Sequence, residues 1–153
     1  RDRCDYTIDR IRTVRSDHYR YIRNYYLDRP LMQPGYRDDR PPSMDMRRLF
    51  KAGELTEYQA EHWFGVRPRE ELYDMEADPH QINNLATLPD FQAELLRHRE
   101  VLENWINDSD DQGQYSESDV QLRATYELWK DREIFKSADV NPEYSKFREA
   151  SAN

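Results

Sequence analysis

Cysteine is almost absent from this chain. Cys4 stands alone among 153 residues, so no internal disulfide can form and no zinc cluster can be built from thiolates. A single thiol leaves the redox compartment unread. Apolar runs long enough to span a membrane are also missing, and no charged-then-apolar leader opens the chain. Arg in place of Met at the first position suggests a chain that begins within a longer protein, or one that has been processed. Catalytic signatures are sparse. His18 and His80 fall in turn-forming stretches, and neither has a Ser, Cys or carboxylate at the spacing of a catalytic triad. Asp38-Asp39 and Asp110-Asp111 read as solvated loop carboxylates, and no residue of this chain is assigned to a metal.

What is present is charge and aromatic bulk. Charged residues make up 35% of the chain and apolar ones 37%, a polar balance, yet eleven Tyr and three Trp argue against simple disorder. The length suits one domain with a modest core. The net charge of −8 is uneven: Arg1 to Phe50 carries 12 basic and 8 acidic residues, whereas Lys51 to Asn153 carries 11 basic and 23 acidic. A basic first third in an acidic chain points either to an anionic ligand or acidic partner, or to arginines paired with neighbouring carboxylates.

Ile8 to Arg15 and Tyr19 to Tyr26 are rich in β-branched and aromatic residues, and Ser16-Asp17-His18 lies between them as a turn, which predicts a β-hairpin. Arg10, Arg12, Arg20 and Arg23 interleave with its apolar positions. That pattern alone resembles a nucleic-acid surface, but the acidic total and the lack of a nucleic-acid fold motif argue against one. Arg29 to Pro42 holds four of the eight prolines and reads as a long loop. A short helix over Met44 to Ala52 is stopped by Gly53, and Thr56 with Gln59 forms a capping box for the next helix. His62-Trp63-Phe64 at the end of that helix reads as core.

Glu71 to Met75 reads as a strand, Asp78-Pro79 and Asn83-Asn84 as turns, and Leu85 as an apolar foot ahead of a helix. From Pro89 onward Phe91, Leu95, Leu102 and Trp105 recur at helical spacing, which predicts an amphipathic helix covering one face of the sheet, with Trp105 in the core. His98 falls on this stripe as a structural histidine. Ser109 to Ser118 reads as a linker, Leu122, Tyr126 and Trp129 as a further helical stripe, and Asn141-Pro142 as the start of a last short helix.

The order Glu71-Leu72-Tyr73-Asp74, then Asp78-Pro79, then Asn84-Leu85-Ala86 ahead of an amphipathic helix resembles the C-terminal region of the formylglycine-dependent sulfatases. The segments Ile11 to Arg15 and Tyr19 to Tyr25 resemble the paired strands that precede this motif. Gly53 to Phe64 with Arg67-Pro68 is similar to the linking segment of bacterial members related to N-sulfoglucosamine sulfohydrolase. The resemblance covers roughly residues 1–114. It implies an α+β fold, a small antiparallel β-sheet of about four strands packed against one long amphipathic helix plus short helices, with residues 115–153 as a helical tail of unknown role.

The resemblance implies a parent enzyme that hydrolyses sulfate esters or sulfamates, on a saccharide, using formylglycine and calcium held by an upstream catalytic domain. The Cys/Ser-x-Pro-x-Arg motif that supplies formylglycine does not occur here, since Cys4 is followed by Asp-Tyr-Thr-Ile. This chain is therefore expected to be inactive alone and to frame the substrate. Arg1, Arg3 and Asp5 are the expected substrate-binding residues, because by the resemblance they leave the catalytic domain at the mouth of the active site, where arginine forks suit sulfate oxygens. Expected partners are the catalytic domain and a sulfated saccharide, with no nucleic acid and no membrane, in a periplasmic or extracellular setting by family. The alternative reading is a non-catalytic module that uses the arginine-rich hairpin to bind an acidic partner.

Overall fold

The computed structural model describes residues 6–35, 38–132 and 142–151. Two compact units divide them: Arg10–Leu27 with Pro68–Tyr115, and residues 6–9 and Asp28–Arg67 with 116–151.

The first unit is a sheet under a helix. Strands β1 (Ile11–Arg15), β2 (Tyr19–Asn24) and β3 (Glu70–Asp74) form an antiparallel sheet in the order β1-β2-β3. The hairpin closes where expected: Ser16 N donates to Tyr19 O at 2.9 Å, and Val14 faces Tyr21 across the pair. β1 starts later than Ile8: Ile8 O accepts from the Arg29 side chain, and the ladder begins at Ile11 opposite Asn24.

Three strands stand where about four were expected, among the described residues. The reason lies at the outer edge of β3. A 2.8 Å bond from Leu85 N to Leu72 O fills one outward backbone group, and the Asn84 side chain fills its neighbours, accepting from Leu72 N at 3.0 Å and donating to Glu70 O at 3.1 Å. A side-chain amide thus does locally what another strand's peptide would do. The turn before it is built by Asp78, whose Oδ2 accepts from Ile82 N and Asn83 N at 2.7 Å each. Both Leu72 and Tyr73 of β3 are buried.

A 3-10 turn (Pro89–Phe91) leads into α3 (Gln92–Ser109), which lies against β1 and β2. Its buried residues are Leu95, His98, Leu102 and Ile106, and the three aliphatic ones join Tyr21, Leu72 and Ala86 in the core. Trp105 does not. Expected in the core, it is 50% exposed. At 100° per residue Trp105 lies about 80° around the helix from Leu95 but Ile106 only about 20°, so Ile106 takes the central position. A further 3-10 turn (Gln112–Gln114) lies in the stretch read as linker.

In the second unit, α1 (Pro41–Ala52) begins on a proline, tolerated at the first helical position, and ends on Gly53, whose φ of +69° is the left-handed geometry of a C-terminal glycine cap. The following α2 (Glu57–Phe64) carries the expected Thr56–Gln59 capping box. Neither helix contains a buried residue, which corrects the reading of His62-Trp63-Phe64 as core. Phe64 instead stacks on Phe50, ring centres 4.0 Å apart, at the surface. Helix α4 (Asp119–Trp129) starts from a second capping box, Ser118 with Gln121, at a position read as the end of a linker. Its Leu122 and Tyr126 are buried, as are Tyr144 and Phe147 from the 3-10 turn Pro142–Tyr144 and α5 (Ser145–Ser151).

Candidate functional site

Arg1, Arg3 and Asp5, the expected substrate-binding residues, lie outside the described residues, as does Cys4. The site is therefore built from the segment that follows them. Each residue from Tyr6 to Asp9 is tied down. Tyr6 O accepts from Tyr144 Oη at 2.9 Å, and both tyrosines are fully buried. Thr7 Oγ1 donates to Pro34 O at 2.6 Å, and Ile8 O accepts from Arg29 at 3.0 Å. The Asp9 carboxylate takes both forks of Arg67, at 2.9 and 3.0 Å, together with Gln33 Nε2 at 3.1 Å.

Arg29 is the hub of this arrangement. Besides Ile8 O it meets Asp28 through two bonds, at 2.8 and 3.1 Å, and Glu143 at 2.8 Å. Its own carbonyl accepts from Arg67 Nε at 3.1 Å. Burial opposes the Arg29 charge, yet the bonds it donates to Asp28 and Glu143 win and hold its proton more firmly than usual. The same bond from Arg29 lowers the Asp28 pKa below its ordinary value. Cations this deeply buried are tolerable because the planar fork matches carboxylate and carbonyl oxygens together.

In the first unit the hairpin arginines are also engaged. Arg12 binds both oxygens of Asp111, at 2.8 and 3.0 Å, and Asp111 in turn accepts from Gly113 N at 3.1 Å. A Cβ on Gly113 would stand 1.8 Å from the Arg12 guanidinium, so any larger residue there would have to shift that fork. Arg20 donates to Gln81 Oε1 at 2.9 Å, and Arg10 to Gln114 O at 2.5 Å while resting against the Tyr25 and Tyr26 rings. Arg23 bridges Glu103 at 2.7 Å and Tyr21 Oη at 3.1 Å, and Tyr21 donates to Glu70 at 2.6 Å. Glu70 also holds Arg99 through two bonds. Burial, then the Glu70 bond, pushes Tyr21 up to about 12. For Glu70, burial favours the neutral acid, but the bonds from Arg99 and Tyr21 outweigh it and lower the pKa.

Of the two readings of the basic first third, pairing with internal acceptors holds for these arginines. Two carboxylates read as solvated are corrected by it. Asp111 belongs to Arg12, and Asp38, whose side chain is 7% exposed, belongs to Arg47 at 2.7 Å. Asp39 stays exposed. His98 is structural, with Nδ1 3.0 Å from Glu94 O and Nε2 3.2 Å from Ser16 Oγ. His18 pairs with Glu76 at the surface. The pairings of Arg67 with Asp9 and of Arg29 with Glu143 carried no signal in the sequence: the partners stand 58 and 114 residues apart, and no local spacing marks them. Among the described residues no group of three or more His, Cys, Asp or Glu could hold a metal ion.

No family model matches the chain. Two curated proteins do. It is 36% identical over 120 residues to an ulvan-active sulfatase of Formosa agariphila, a match covering 78% of this chain and 20% of that protein. It is 33% identical over 99 residues to human N-sulphoglucosamine sulphohydrolase, covering 62% of this chain and 19% of that one. Two capping boxes, an Asp-Pro turn and an asparagine-closed sheet edge are thus found in a chain homologous to sulfatases, of whose length it spans about a fifth.

Proposed function

We propose that this chain is the C-terminal, substrate-framing and structural subdomain of a sulfatase that hydrolyses sulfate esters or sulfamates on a saccharide. The observation that carries the reading is the similarity to the ulvan-active sulfatase over most of this chain. The names of the two relatives, one active on ulvan and one on N-sulphoglucosamine, support a sulfated saccharide as substrate. Formylglycine and calcium belong, in this reading, to the remainder of the parent protein, and the 153-residue chain alone is inactive.

Arg1, Arg3 and Asp5 contact the substrate beyond the scissile group. The ties from Arg29, Arg67 and Tyr144 to residues 6–9 support this assignment, because a binding segment must be carried on a fixed base to hold an anion at little entropic cost. The alternative, a basic hairpin for an acidic partner, is not favoured: Arg10, Arg12, Arg20 and Arg23 all have acceptors within the first unit.

The test has two parts. The reading frame upstream should encode Cys/Ser-x-Pro-x-Arg, and the full-length protein should release sulfate from a sulfated oligosaccharide where the 153-residue chain does not. In that enzyme Arg3→Ala should raise KM for the oligosaccharide with little change in kcat, because a contact remote from the reacting bond binds ground and transition states alike. A small aryl sulfate should be affected less. Equal losses on both substrates would remove Arg3 from substrate binding.

A further inference from the structure

A groove of about 380 Å³ opens between the start of α4 and α5, lined by Asp119, Val120, Arg123, Ala124 and Phe147. That volume is at the small end of ligand clefts, room for a unit of one or two rings. Its charge runs against the chain around it. Residues 51–153 carry 23 acidic and 11 basic side chains, yet the groove is lined by one arginine, Arg123, and one carboxylate, Asp119, and the latter is met by Lys146 from beside the groove.

Arg123 is placed differently. Its guanidinium lies 4.9 Å from the centre of the Phe147 ring, and among the described residues it has no carboxylate or carbonyl acceptor. The arginines at 12, 23, 29, 67 and 99 each close on a carboxylate. Phe147 is itself only 4% exposed, so it is a fixed base. A guanidinium placed over a ring and without a carboxylate partner leaves N–H donors for another group, and its fork matches two oxygens of a sulfate or carboxylate. Beside that fork Val120, 78% exposed, and Ala124 offer apolar surface along the groove.

We infer that this groove is an anionic saccharide subsite, in which Arg123 takes the oxyanion of a sulfated sugar and Val120 with Ala124 take the apolar face of its ring. The sugar half of the assignment rests on the sulfatase reading, whereas the oxyanion half rests on the groove alone. A second contact of this kind, apart from the one expected of Arg1, Arg3 and Asp5, would let the parent hold a polymer at two points and gain by effective concentration.

The test is a methyl and amide NMR titration of the 153-residue chain with N-sulfoglucosamine, using N-acetylglucosamine as the uncharged counterpart. Saturable shifts at Val120 and Ala124 are expected, with the sulfated sugar binding about tenfold more tightly, as one charge-assisted contact predicts. Arg123→Gln should lose about the same factor with the rest of the spectrum unchanged, and Arg123→Lys, which keeps the charge without the fork, should fall between. Equal affinity for both sugars, shifts that avoid Val120 and Ala124, or an undiminished response of Arg123→Gln would each overturn the inference. If those results came from a parent that does release sulfate, the subsite alone would be lost. Selective binding in a chain whose upstream frame lacks the nucleophile motif would keep the oxyanion site and sink the sulfatase reading.

Discussion

Asn84 holds the edge of the sheet with one side chain. Its Oδ1 accepts from Leu72 N and Ala86 N, both at 3.0 Å, while its Nδ2 reaches Glu70 O. Removing it leaves two backbone donors and one acceptor without partners in a half-buried place, where each orphaned group costs about 1–3 kcal/mol. Asn84→Ala should therefore lower stability by about 2–4 kcal/mol, read as a shift in the urea midpoint at unchanged slope. Asn84→Asp keeps the acceptor and should cost clearly less. A loss of under about 0.5 kcal/mol for the alanine variant would mean that water replaces the amide and that the edge is not closed by it. At the same scale Tyr144→Phe removes one buried bond, to Tyr6 O, at a cost of about 0.5–1.5 kcal/mol.

Helix α3 shows how an element divides its residues. The apolar stripe was legible as Phe91, Leu95 and Leu102, but extrapolating it to position 105 or 106 depends on where the sheet ends beneath the helix. Ile106 is 5% exposed and packs in the core, whereas Trp105 is half in solvent. Ile106→Ala should thus cost about 2–5 kcal/mol and Trp105→Ala less than about 1 kcal/mol, the reverse of the order set by side-chain size. Thermal melts of the two variants side by side check this, and a larger loss for Trp105 would put the stripe on the wrong face. For α2, Thr56→Ala breaks a complete capping box and should cost about 1 kcal/mol.

For the whole molecule, the polar network over Tyr21, Glu70 and Arg99 sets a pH window. The Glu70 pKa is lowered from an ordinary 4.5, so its stabilisation is present above that value and is lost as pH falls through the lowered one. Tyr21 runs the other way. Raised from 10.0 to about 12, it contributes below pH 10 and loses that contribution as pH climbs toward 12. Urea midpoints across this range should fall at both ends, and Glu70→Gln should flatten the acid limb. Tyr21→Phe should flatten the alkaline limb while costing stability at neutral pH through the loss of its bond to Glu70. An unchanged acid limb in Glu70→Gln would assign acid sensitivity to the Asp28 and Asp111 pairs instead, both of which are also lowered.

What the amino-acid order determines by itself is local. The hairpin turn at Ser16-Asp17-His18, the Asp78-Pro79 turn, the Gly53 stop, the Thr56–Gln59 box and the face of α3 are each written within a few residues, because hydrogen-bond reach and helical period act over that span. The order Leu72-Tyr73-Asp74, Asp78-Pro79, Asn84-Leu85-Ala86 also carried the relation to sulfatases. What tertiary structure alone decided is the fate of charge. Arg12 and Asp111 stand 99 residues apart, Arg67 and Asp9 58 apart, and Arg29 and Glu143 114 apart. An arginine free to meet a ligand and one bound to a distant carboxylate look the same in a sequence. Which of them it is depends on whether folding delivers an acceptor to within about 3 Å of the fork.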